Sequence, residues 1–243
     1  MSKPKRRREM QTVVNALDYF VAGVPPLGNF QLEIEHLDAL VGSSKEGDLT
    51  GLNPTAEVSL IGLSAYFEAF CKAHFAALVN ICPETLKNFV ERRQNATVNL
   101  RNIMSMRGQV ASRLGNLISE EHDFGSAREI NGMYQDLLRI TPFSASEAND
   151  YAKFLSDRNL LVHHGGVYTF RYSSQRFVRR TAPGLAHWDS LVVGKNEFRR
   201  WRSFLLRMAK KIATTSRTAL NDLVARERMR LSAEQKRAIG MLS

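Results

Sequence analysis

A chain of 243 residues with 44% hydrophobic side chains can bury a core of its own, and its simplest organisation is one domain with tails. No apolar run approaches the roughly 18–20 residues that span a bilayer, and no signal-peptide core follows the charged amino terminus, so the composition points to a cytoplasmic protein with no membrane partner. The formal charge of +10 favours a polyanion, nucleic acid first of all, while Cys71 and Cys82 are too few and too unlike a C-x-x-C pair for a disulfide framework or a zinc site.

Residues 1–9 read as a solvated basic tail, with Lys3, Lys5, Arg6, Arg7 and Arg8 around Pro4. An amphipathic helix is expected over 10–21, with Val13, Val14, Leu17 and Phe20 or Val21 facing in; Gly23 and the Pro25-Pro26 pair end it. A second helix fits 30–41, and 42–54 reads as a glycine- and serine-rich loop. The helix expected over 55–81 is apolar around most of its circumference and belongs in the middle of a bundle. Glu68 within it is either an acid that orients a distant arginine or a rim carboxylate in water; His74 reads as a packing or surface histidine.

Pro83 opens a helix over 83–94, polar and basic residues run to 108, and a further helix fits 109–119. Glu120, Glu121, His122 and Asp123 form an acidic cluster that reads as a solvated loop, since one histidine among loose carboxylates is a poor metal cage. Helix is again expected over 126–139. From Asn196 past Leu223, Phe198, Trp201, Leu205, Met208 and Ile212 make a core stripe, and Arg199, Arg200, Arg202, Arg207, Lys210 and Lys211 dominate the other face. Residues 226–243 read as a charged tail. No internal repeat, phosphate-cradling glycine loop or G-x-S-x-G elbow supports a nucleotide hydrolase or serine esterase, and no helix-turn-helix supports a DNA-binding regulator.

The stretch from Ser144 to Gly166 holds the candidate chemistry. Ser144 with Glu147 is a capping box, and Gly165-Gly166 ends the helix, which leaves His163 and His164 in its last turn. Tyr151, Leu155 and Val162 fall on one apolar stripe, with Arg158 almost on the same line, so the guanidinium needs an acid, a phosphate or a wet cleft. His163 lies roughly 7.5 Å further along the axis and about 140° around it, so both side chains flank one broad face with Asn159 beside them. After Gly166 the period changes to two: Val167 to Tyr172, a Ser-Ser break, then Gln175 to Arg180 read as a small β hairpin. Tyr168, Phe170, Arg171, Arg179 and Arg180 interleave rings with guanidinium groups, as an RNA platform does; an edge hairpin covering the bundle is the plainer reading.

Arg158-Asn159-x-x-x-His163, closing a helix before glycine, resembles the R-x4-6-H motif of the HEPN superfamily in its R-N-x-x-x-H form. The segment Leu63-Ser64-Ala65-Tyr66-Phe67-Glu68-Ala69-Phe70 is similar to the family's preceding core helix, and the resemblance spans roughly 30–212. It implies an all-α, HEPN-like helical bundle acting as a metal-independent endoribonuclease with no cofactor. Two subunits would share a cleft, and cleavage would leave a 2′,3′-cyclic phosphate. It further implies Arg158, Asn159 and His163 as catalytic residues, and a toxin or phage-defence setting with an antitoxin or defence partner protein; His164, which the motif does not carry over, and Glu68 are read as auxiliary. Gly165 stands where the R-x4-H-x-Y variant has tyrosine. The rival reading is a non-catalytic HEPN-like module that binds RNA or a partner protein.

Overall fold

Pro25-Pro26, placed by the sequence in a break, does break the chain and at once starts a helix. The fixed φ of Pro26 suits the first helical position, where its missing N–H costs nothing, so α1 (Pro26–Ser43) begins four residues before the expected start and buries Leu27 and Phe30. The structure, a computed structural model, describes residues 15–45, 53–93, 103, 110–176 and 190–243. The basic tail at 1–9 lies outside them. The expected helix over 10–21 is, from Asn15 on, two 3-10 turns, Ala16–Tyr19 and Val21–Gly23. A capping box between Asn15 and Asp18 restarts the chain there, turning Tyr19 and Phe20 inward and leaving Leu17 and Val21 exposed.

Asn53 caps α2 (Pro54–Ile81) by accepting the Ala56 N–H at 2.9 Å, and Leu60, Leu63, Phe67, Phe75 and Leu78 along it are fully buried. A short turn, Pro83–Thr85, leads into α3 (Leu86–Arg92). Against α2 packs α4 (Val110–Glu120), so closely that a Cβ on Gly115 would overlap the Ala76 carbonyl; the Gly115 N–H donates to Asn80 Oδ1 at 2.8 Å. Ser126 caps α5 (Ala127–Leu138). Then follow α6 (Ala145–His164), α7 (Phe170–Arg176) and α8 (Lys195–Arg226); α8 meets α6 at Phe154 and α7 meets it at Asp157.

Aromatic rings stitch these helices together. Phe30 meets Phe67 at 5.9 Å, Phe67 meets Tyr151 at 5.4 Å, and Phe154 meets Trp201 at 5.4 Å, linking α1, α2, α6 and α8 in one line. The all-α expectation therefore describes the architecture: among the described residues there is no strand, and Val167 and Ser190 form an isolated antiparallel bridge. No helix among these residues is long and apolar enough to cross a membrane.

Two expectations from the pattern give way. Where period two suggests the first arm of a hairpin, Phe170–Arg176 is helical, because Tyr168 and Tyr172 lie four apart and stack at 5.1 Å, which a strand would not allow. Where charge suggests a tail past Arg226, the chain turns back through Arg228 at φ 51° and forms α9 (Ala233–Gly240), capped by a Ser232/Gln235 box. Few apolar residues are present there, but Ala238, Ile239 and Leu242 are all buried, and Gln235 Nε2 donates to the Ile81 carbonyl at 2.7 Å.

Candidate functional site

The site helix α6 is rooted at its start. Glu147 Oε2 accepts the Ser144 N–H at 2.8 Å and also Lys211 Nζ of α8 at 2.6 Å. Burial alone would raise the Glu147 carboxyl, but the bonds from Lys211 and from Ser144 outweigh it and hold the group at about 2. Just upstream, Asn131 of α5 clasps the Phe143 backbone with two bonds of 2.8 and 2.9 Å. Along the helix the buried residues are Tyr151, Phe154, Asp157 and Leu160. The inward face is therefore rotated from the expected stripe: Leu155 packs partly and Val162 is exposed, since Phe154 is pulled under Trp201.

At the other end the two glycines do what their sequence position suggests. Gly165 (φ 57°) and Gly166 (φ 82°) are left-handed, and the Gly166 N–H returns to the Leu160 carbonyl at 3.1 Å. His163 and His164 are thereby left exposed on the last turn. Beside them opens a groove of about 420 Å³ between α6 and α7, lined by Leu155, Asn159, His163 and His164 on one side and Thr169, Arg171 and Tyr172 on the other.

Of the residues singled out from sequence, Asn159, His163, His164 and Arg171 meet in this groove. Arg158 is half-buried next to it rather than in its wall: its guanidinium donates to Asn159 Oδ1 at 2.8 Å, and its Nε is buried without a partner. Glu68 is not its acid. That carboxylate pairs with Lys72 one turn along α2 at 2.9 Å, the nearer and cheaper cation, and no described carboxylate lies within ion-pair distance of Arg158. Phe170 is 80% exposed beside the groove, and Tyr168 is stacked on Tyr172. Arg179 and Arg180 lie outside the described residues.

Sequence reading missed Asp157 and Tyr172. Asp157 is 1% exposed and accepts the Tyr172 hydroxyl at 2.8 Å, joining the two walls of the groove at their base. A signal existed, because Asp157 stands three residues beyond Phe154 on the line that begins with Tyr151. Of the basic face of α8, Arg200, Arg202 and Lys211 pair with Glu197, Asp38 and Glu147, which leaves Arg199, Arg207 and Lys210 exposed with no acid partner among the described residues.

A different histidine chemistry sits in the core. His74 is fully buried, its Nδ1 lies 2.9 Å from the Tyr134 hydroxyl, and its Nε2 has no partner. Desolvation pushes its pKa down to about 3, so the ring is neutral packing. Cys71 and Cys82 are buried and unpaired, and burial raises both thiols. Among the described residues no group of three His, Cys, Asp or Glu side chains gathers as a metal ion requires. No protein-family model, curated protein or solved structure matches the chain.

Proposed function

We propose that the α6–α7 groove is the RNA-cleaving site of a metal-independent endoribonuclease of HEPN type, working as a homodimer in a toxin or anti-phage defence role in the cytoplasm. The observation that carries this reading is the convergence of Asn159, His163 and Arg171 on one open groove, with Arg158 held against Asn159 at its edge.

The chemistry needs a base, an acid and a cation. His163 takes the 2′-hydroxyl proton as the 2′ oxygen attacks phosphorus; the bond from phosphorus to the 5′ oxygen breaks, and that oxygen takes a proton from the imidazolium of the second copy. The product is a 2′,3′-cyclic phosphate and a free 5′-hydroxyl. A guanidinium suits the charge that builds on the phosphorane oxygens, and Arg158 supplies it through N–H groups that Asn159 does not use. His164 is auxiliary, and Arg171 with Phe170 meets the flanking strand through a phosphate and a base.

A second reading, a non-catalytic HEPN-like module for RNA or a partner protein, is favoured by one observation: Arg158 is turned to Asn159 and is not part of the groove wall. The test is incubation of the purified protein with structureless RNA in chelator, followed by end-group analysis for cyclic phosphate. His163→Ala is expected to lower the cleavage rate by about 10²–10⁴ with the fold retained. Equal cleavage by the variant removes the enzyme; RNA binding without any cleavage leaves the module.

A further inference from the structure

The wall of the groove opposite His163 is a short helix. With seven residues α7 is far too short to be stable alone, and of its residues 170–174 Tyr172 alone is buried. Its ring stacks on Tyr168 and its hydroxyl bonds to Asp157, and the second of these contacts reaches across to α6. The Tyr172 N–H adds a local bond to Thr169 Oγ1 at 3.1 Å, which shapes the turn but ties it to nothing on α6. A carboxylate withdrawn from water as fully as Asp157 is costly unless it is hydrogen-bonded, so a position that keeps one is using it.

We infer that Asp157 is a positioning residue of the groove: through the Tyr172 hydroxyl it docks α7 on α6 and sets where Arg171 stands relative to Asn159 and His163. The inference rests on the RNA reading for its consequence and on geometry alone for its mechanism. Arg171 follows Tyr172 in register because the two are adjacent on one helix, whereas His163 belongs to α6, whose backbone is capped at both ends without α7. Loosening α7 therefore weakens the grip on the strand and spares the proton transfer.

Two measurements separate these parts. In cleavage assays Tyr172→Phe, which deletes one oxygen, raises KM for single-stranded RNA about tenfold and changes kcat by less than about twofold. Asp157→Ala also raises KM, and Tyr172→Phe adds less in the Asp157→Ala background than in the wild type, since the bond between the two is already gone. A wild-type KM in Tyr172→Phe, or a fall in kcat at constant KM, overturns the assignment. Independently of RNA, spin labels at Ala152→Cys on α6 and Ser174→Cys on α7 report the distance across the groove. A narrow distribution that broadens on adding Tyr172→Phe supports the anchor, and an unchanged distribution overturns it. If the wild type neither binds nor cuts RNA, the nuclease reading fails while the label distances still decide what Asp157 does.

Discussion

The two ends of α6 are built on opposite plans. From Ser144 to Phe154 the helix is capped, ion-paired to α8, clasped by Asn131 and lined with buried rings. From Arg158 onward it ends in exposed histidines and a guanidinium with one unpartnered N–H, beside a short helix whose Tyr172 bonds to Asp157. The difference teaches how an exposed helix end is placed: its side chains lack packing of their own, so their position is borrowed from the rooted end of the same rod, as the proposed nuclease site would require.

The strongest way to break the comparison is to cut the root. Phe154→Ala removes a fully buried ring that packs on Trp201 and Tyr151, and about 3–5 kcal/mol of stability should be lost in urea unfolding. A loss under about 1 kcal/mol would mean that the rooted end is not where the stability lies.

Acid sharpens the contrast between a core histidine and the groove histidines. His74 stays neutral down to about 3 when folded, while the unfolded ring takes up a proton near its ordinary value of 6.5. The unfolded state thus binds more protons between those values, and stability falls as pH falls through that window, by up to about 1.4 kcal/mol per pH unit. Glu147 adds a second loss lower down: its stabilisation is present above the ordinary 4.5 and disappears as pH falls toward about 2. His74→Gln should flatten the decline between pH 6.5 and 4.5 in denaturant titrations, where His74 acts without Glu147, and leave below 4.5 only the share that Glu147 contributes. An unchanged slope in the upper window would assign it to other groups.

A smaller effect is expected at the helix start. Ser144→Ala deletes the capping oxygen that faces the Glu147 N–H, at a cost of about 1 kcal/mol in the same unfolding assay. Smallest of all, His163→Ala should leave unfolding unchanged within about 0.5 kcal/mol, because the side chain is exposed. A marked destabilisation would place that imidazole among the structural residues and weaken the case for the groove as a reactive site.

The helix ends were readable because the interactions that make them span four residues or fewer. Ser144 with Glu147 and Gly165-Gly166 after His164 mark the limits of the site helix by local hydrogen bonds and backbone preference, and the apolar density of α2 marks it as central. The exposure of His163 and His164 followed from the same local stop. Only the packed molecule decided the rest. Which line of α6 turns inward depends on Trp201, forty-seven residues past Phe154; whether Glu68 takes Lys72 or Arg158 depends on which cation comes within reach.

The string from Tyr168 to Tyr172 satisfies a period of two and a spacing of four equally well, and the buried carboxylate of Asp157 selects the helix. The sparse apolar residues after Arg226 became core only because the end of α2 and the first turn of the chain were there to receive them. By itself, then, the sequence determined the helical class and the two limits of the site helix, with the histidines in its last turn, all of which are settled within a turn or two of chain. The tertiary structure decided the buried face, the ion-pair partners and the second wall of the groove, since burial and pairing depend on what the whole chain brings into contact.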